Sequence, residues 1–211
     1  MSEYLPNGAT RFFRLKALVP AAGMSLRMGA FKPLLPYGGA TVIENAVGAV
    51  LAVADEAVVV LGKRADEVSA VLMKRFGTRV RIVLNPDYAS TDMLRSVQLG
   101  LAAIGECDGL FLLPGDMPAV SVGTLKALRD AFDGSADVLY PVMDGRRGHP
   151  PLISARLIPG ILAYEGDGGL RAVLKGSVTK ELNVSDKGAL TDLDTRQDYE
   201  SAASGLIQSN G

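Results

Sequence analysis

One cysteine, one histidine and no surplus of either charge narrow the chemistry open to this 211-residue chain. A lone Cys107 cannot close an internal disulfide, which excludes a stapled secreted scaffold and fits a reducing compartment. Lys and Arg number 22 against 23 Asp and Glu, so neither general nucleic-acid affinity nor attraction to a membrane surface is expected. Any anion site must therefore be local. No apolar run approaches the roughly 20 residues of a membrane span. The opening stretch MSEYLPNGATRFFRLK has no apolar signal core, so export is not expected. Internal repeats and low-complexity tracts are missing too. These absences predict a cytoplasmic protein with no nucleic-acid and no membrane partner.

What is present suffices for one core. A chain of this length buries roughly 70% of its unfolded surface, and 48% of its residues are apolar. A single domain over 14–203 is expected, with flexible termini at 1–13 and 204–211. Short apolar runs predict strands at 14–19, Ala57–Leu61, Val80–Leu84, 110–113 and 138–142. Helical spacing falls between them: Thr41 caps a segment with Val42, Ile43, Ala46, Val47, Val50 and Leu51 on one face. Further helices are expected over Ala65–Phe76, through Met93, Val97 and Leu101, and over 121–132. The last third is less regular, with strands expected at 150–154 and 178–184 and helices at 155–164, 169–174 and 195–203. Alternating strand and helix predicts an α/β fold, a mostly parallel sheet covered on both faces. Such sheets bind ligands at the carboxyl ends of their strands. That rule puts Gly23, Asn85 and Asp116 on one rim.

The stretch 18–35, LVPAAGMSLRMGAFKPLL, is the centre of the functional reading. A predicted strand runs into Pro20, Ala21, Ala22 and Gly23, where side chains almost vanish and backbone can approach a ligand. Met24 and Ser25 continue the loop, and Arg27 and Lys32 are its only cations. Amides pointing inward with cations closing over them would hold a chain of phosphates. The loop lacks both the closing Gly-Lys-Ser/Thr of a P-loop and the GxGxxG of a dinucleotide fold. The plainer alternative is an ordinary strand-to-helix turn with solvated charges.

Asp116, in LFLLPGDMP, directly follows a buried strand, where it suits either a helix cap or a magnesium ion that keeps its waters and takes few carboxylates. TDLDTRQDY offers Asp192, Asp194 and Asp198 as further acids, although Asp194-Thr195 suits a cap. Asn85 precedes Pro86 and suits a turn. His149 is more often a packing or hydrogen-bonding residue than a catalytic one.

The string Ala21-Ala22-Gly23, Ser25, Arg27-Met28-Gly29, Lys32 and Leu34-Leu35 resembles the signature of nucleotidyltransferases with a MobA-like fold, and the resemblance extends to about residue 199. It implies a three-layer Rossmann-like nucleotidyltransferase fold. It further implies Mg²⁺ held by Asp116 of a G-D-x-P motif and by Asp194 of D-x-D-T-x-x-D. Arg27, Lys32 and Asp116 would be the catalytic residues. The nucleotide would be lined by Ala21 to Ser25, Arg27, Lys32, Asn85, Ser96, Pro114 and Asp116. The chain departs from the family pattern at Asp92 and Arg95, where glycine and a small residue are common. The segment ending Gly148-His149-Pro150 and the Gly166–Arg171 segment resemble those of molybdenum cofactor cytidylyltransferases, implying acceptor binding by Gly148, His149 and Arg171. Arg171 would equally suit an acid on its own helix. The implied partners are CTP, a molybdopterin-type phosphate acceptor, and a molybdenum hydroxylase or its chaperone. The rivals are GTP or a sugar phosphate in the same chemistry, and a non-catalytic cofactor carrier.

Overall fold

A computed structural model describes residues 12–23 and 30–208, the last four by backbone alone. Seven strands form the main path of the sheet, in the order β10-β7-β9-β6-β1-β4-β5. In chain order these are β1 (Leu15–Ala21), β4 (Ala57–Leu61), β5 (Val80–Leu84), β6 (Gly109–Leu112), β7 (Val138–Met143), β9 (Leu152–Ser154) and β10 (Thr179–Asn183). The omitted numbers belong to two short hairpins, β2 (Pro36–Tyr37) with β3 (Ala40–Thr41), and β8 (Arg146–Arg147) folding back on β7. β1, β4, β5 and β6 pair in parallel, as do β7 and β10. β9 runs antiparallel to both β6 and β7.

Helices cover both faces because the central strands are apolar on both. Ala17 and Val19 of β1 pack with Ile43, Val47 and Val50 of α1 (Val42–Leu51), with Val68 and Leu72 of α2 (Ala65–Phe76), and with Leu125 and Leu128 of α4 (Val122–Ala131). Leu18, pointing the other way, packs with Leu94, Val97 and Leu101 of α3 (Met93–Ala103) and Ile161 of α5 (Ile158–Leu162); Leu170 of α6 (Gly169–Val173) lies against that cluster. Every residue of β4 is buried. Gly100 lets α3 sit directly on the sheet, since a Cβ there would overlap Leu18 and Val60. A final helix, α7 (Arg196–Gln208), closes over Tyr37 and Val42 through Tyr199 and Ala202.

Several expectations are adjusted. β1 extends to Ala21, two residues nearer the glycine loop than expected. The helix expected over 155–164 is a 3-10 turn followed by the short α5, with Pro159 in its first turn. The helix expected over 195–203 runs from Arg196 to Gln208, and of the termini expected to be flexible, residues 1–11 and 209–211 lie outside the described residues. Among the described residues, no helix is long and apolar enough to cross a membrane.

Candidate functional site

Parallel pairing sets the ends of β1, β4, β5 and β6 on one rim, and the antiparallel β9 brings the segment preceding it to that same rim. Beyond β1, Gly23 faces open space among the described residues: a Cβ there would meet none of their atoms within 4 Å. Packing among those residues does not require that glycine. Gly115 is the opposite case. A Cβ there would come within 2.7 Å of Ala21 and 2.8 Å of Ile43, and its amide donates to the Pro20 carbonyl at 3.0 Å. The Pro-Gly-Asp turn is thereby pressed against the end of β1, and Asp116 reaches the same hollow as Gly23.

Lys32 stands at the centre. It begins a 3-10 turn, Lys32–Leu34, and is only 8% exposed. Its Nζ donates to Asp116 Oδ2 at 3.0 Å and to Asp194 Oδ1 at 3.4 Å. Three residues scattered along the chain thus converge on one point. The DLD triplet explains how Asp194 arrives. Leu193 is fully buried and donates its amide to the Asp116 carbonyl at 3.1 Å, fastening the triplet to the Pro-Gly-Asp turn. Thr195 and Asp198 cap the start of α7 with reciprocal bonds of 2.7 and 3.2 Å, so Asp194 is not the capping acid.

Two neighbouring hollows adjoin this point. One of about 140 Å³ is lined by Pro20, Ala21, Gly23, Lys32, Pro114 and Asp116. Another of about 140 Å³ lies between Ala22 and Gly23 on one side and Tyr88, Thr91, Asp92 and Ser96 on the other. Asn85 lines neither. It is 2% exposed, its Nδ2 donates to Thr91 and Ser96 at 3.1 Å each, and its Oδ1 accepts from the Asp87 amide at 3.1 Å. Its place is behind the wall, shaping the loop. Asp92 caps α3, accepting from the Arg95 amide at 3.2 Å. Met24, Ser25 and Arg27 lie outside the described residues.

A larger cleft, about 910 Å³, opens beyond Pro114 and Met93. Its walls include Tyr140, Gly148, His149, Arg171 and Lys175, and among the described residues no acid lines it. Gly148 and His149 are fixed by the main chain: a Cβ at 148 would meet the Ala189 carbonyl at 2.6 Å, and the His149 amide donates to that carbonyl at 2.7 Å. Burial holds the His149 imidazole below its ordinary pKa, outweighing a bond to the Leu112 backbone and the negative charges of Asp116 and Asp192. Among the described residues its Nδ1 is buried without a hydrogen-bond partner. Arg147 stacks over Tyr140 at 4.6 Å and pairs with Glu181 at 2.7 Å. An intermediate hollow of about 330 Å³, lined by Asp116, Asp192, Asp194, Arg147 and His149, joins this cleft to the Lys32 cluster.

The site has the parts that phosphate chemistry needs: an open glycine corner, a buried ammonium, two converging carboxylates and a cationic cleft alongside. The MobA-like NTP transferase domain matches residues 17–184. The chain belongs to that family. It is 26% identical over 190 residues to the molybdenum cofactor cytidylyltransferase of Escherichia coli, covering 89% of this chain and 95% of that one. It is 33% identical over 186 residues to the nicotine blue oxidoreductase of Paenarthrobacter nicotinovorans, covering 83% and 89%. A nucleotidyl transferase from Methanothermobacter superposes with a TM-score of 0.78 at 31% identity, over 93% of this chain and 99% of that one. This MobA-like member is therefore a nucleotidyltransferase by fold and family.

Sequence reasoning missed Met93, Tyr88, Tyr140, Arg147 and Lys175 as lining residues. Met93 is the chief omission, because it borders all four hollows. Its helical spacing with Val97 and Leu101 put it on one face of α3 with those core residues, whereas at the first turn it is exposed on the rim.

Proposed function

We propose that the protein transfers a nucleoside monophosphate, CMP from CTP by preference, to the phosphate of a molybdopterin-type acceptor. An oxygen of the acceptor phosphate bonds to the α-phosphorus, the bond from that phosphorus to the bridging oxygen breaks, and pyrophosphate leaves with the bond's electron pair. A phosphate dianion is already nucleophilic, so no general base is needed. The convergence of Lys32, Asp116 and Asp194 between the glycine corner and the large cleft carries this reading.

The residues present suit Mg²⁺. Asp116 Oδ2 and Asp194 Oδ1 approach one point from two sides, and both are hard oxygen donors. Among the described residues no group of three or more His, Cys, Asp or Glu could hold a metal. Two carboxylates, with phosphates and water completing the shell, are a usual magnesium arrangement. When bound, the ion would neutralise charge developing on the phosphate oxygens. Gly23 leaves room for the phosphate chain, and Lys32 supplies positive charge in a partly shielded corner. At about 4 Å and an effective dielectric near 20, one such charge is worth up to about 4 kcal/mol. Arg27 is assigned the second cation of the same loop. Arg171, with no ion pair among the described residues, and Lys175 face the acceptor. The choice of CTP and molybdopterin rests on the E. coli relative and on the Gly148-His149-Pro150 and Gly166–Arg171 segments.

The test is pyrophosphate release across four NTPs, with and without molybdopterin. CTP turnover that depends on molybdopterin is expected, and Asp116→Asn should lower it by about three orders of magnitude or more. Turnover with GTP or UTP but not CTP would replace the nucleotide, and no turnover with any NTP would reject the activity. The 33% identity to an oxidoreductase supports a second reading, redox chemistry in the same cleft. Electron transfer from a supplied donor to a supplied acceptor, with no pyrophosphate released from any NTP, would select it.

A further inference from the structure

We infer that the stacked pair of Tyr140 and Arg147 is a platform for a flat heteroaromatic ring, so that the acceptor is read by its ring as well as by its phosphate. This rests on the nucleotidyl-transfer reading and names the part of the acceptor that the large cleft selects.

Three strands build the platform. Tyr140 of β7 lies opposite Glu181 of β10 in their parallel pairing, and Thr179 stands two residues before Glu181, on the same face of the sheet. Arg147 of β8 lies opposite Val142, two residues after Tyr140, and shares that face. Its Cζ sits 4.6 Å from the centre of the Tyr140 ring. Its Nε donates to Glu181 Oε1 at 2.7 Å and its Nη2 to Thr179 Oγ1 at 3.2 Å. A ring beneath and two acceptors along the edge hold the guanidinium in one plane. Among the described residues Arg147 has no other ring or ion-pair partner, and its side chain is 47% exposed. The face turned away from Tyr140 is left to a ligand.

That face suits a flat ring better than an anion. Glu181 already offsets the charge, whereas a guanidinium is weakly hydrated and stacks on planar π systems. Arg147 lines both the large cleft and the hollow shared with Asp116 and Asp194, but neither hollow beside Gly23. A ring stacked there belongs to the acceptor and not to the nucleotide. Leu112, Pro114, Pro151 and Leu170 give the cleft an apolar lining around it. The volume of about 910 Å³ takes a bicyclic ring system with room for its substituents. The ligand class is therefore a fused nitrogen heterocycle of the pterin kind that carries a phosphate. A sugar phosphate has no flat face to offer.

The experiment is equilibrium binding to the full chain, without turnover. The probe is the phosphate ester of 6-hydroxymethylpterin, followed by its own fluorescence, and ethyl phosphate, which lacks the ring, is measured as its competitor. The wild type is expected to hold the pterin ester at least about tenfold more tightly than ethyl phosphate. Arg147→Lys keeps the charge and loses the plane, and should cut that advantage about fivefold or more. Tyr140→Leu should do the same by removing the support, whereas Tyr140→Phe, which keeps the ring, should preserve it. The non-hydrolysable α,β-methylene analogue of CTP should bind alongside the probe. Equal affinity of the wild type for the two phosphates, or no binding of the pterin ester, overturns the inference, and that arm needs no variant to fold. So does an Arg147→Lys protein, folded by circular dichroism, that keeps the full advantage. Displacement of the probe by the CTP analogue would give the platform to the nucleotide base and overturn it too. In each of these cases pyrophosphate release in the separate turnover assay leaves nucleotidyl transfer standing. Its absence with every NTP rejects transfer, while the binding comparison still judges the platform.

Discussion

Replacing Asn85 by alanine separates a direct nucleotide contact from a hidden support. Its three side-chain hydrogen bonds, to Thr91, Ser96 and the Asp87 amide, are each 3.1 Å long, and the residue is 2% exposed. At about 1 kcal/mol net for each bond, their loss costs about 3 kcal/mol of stability. Thr91 limits the damage, because its Oγ1 keeps a 2.9 Å bond to the Asp87 carbonyl. Ser96 adds to it, since only 5% of that residue reaches solvent. The loop so braced carries Tyr88 and Thr91, which with Ser96 form the wall opposite Gly23. Asn85→Ala should therefore lower the urea midpoint and raise the KM for the nucleoside triphosphate more than it lowers kcat. A double-mutant cycle with Ser96→Ala should show a coupling of about 1 kcal/mol. If Asn85 instead touched the nucleotide, the KM would rise with stability intact and the cycle would be additive. That outcome would refute the support role.

Arg171→Ala combined with Lys175→Ala should raise the acceptor KM severalfold and leave the CTP KM unchanged in steady-state assays, because both line only the acid-free cleft. The pH dependence of stability should carry a mark of His149. Its pKa in the folded protein lies below the ordinary value of 6.5, so the unfolded chain takes up the proton first and stability falls as pH drops below that value. His149→Gln should flatten the fall below about pH 6.5 in urea titrations. Gly100→Ala should destabilise by about 1–3 kcal/mol, seen as a lower Tm, because the added methyl has no room beside Leu18 and Val60.

The parts of the fold that were legible had several local signals agreeing. β4 is a run of alanine, three valines and leucine, all buried, and its bounds match the expectation. α1 announces its start with Thr41 and Glu44, whose reciprocal bonds form a capping box. The two short hairpins had signals that went unread. Gly38-Gly39 turns β2 into β3 with φ of 53° and 81°, and Asp144-Gly145 turns β7 into β8 with φ of 52° and 71°. Both dipeptides are favoured where two successive residues need positive φ. The direction of β9 had no such signal. Three buried apolar residues look alike in either direction, and only pairing with β6 and β7 decides.

That undetermined direction matters most for the site. Had β9 run parallel, His149 would lie at the opposite edge of the sheet from Asp116. Running antiparallel, it carries Gly148 and His149 to the rim where the His149 amide donates to the Ala189 carbonyl, a few residues before Asp192 and Asp194. The corner around Gly23, by contrast, follows from strand direction, because Gly23 and Asp116 each come just after a parallel strand. Even there, motif spacing did not reveal that Lys32 reaches acids 84 and 162 positions away. Two constraints assemble that cluster: Gly115 has no Cβ to hold β1 and Asp116 apart, and Leu193 buries between two acids that must then face the same way. Each is a packing requirement whose product is electrostatic. The chemistry of the corner therefore depends on two residues, Gly115 and Leu193, that carry neither charge nor hydrogen-bonding side chain.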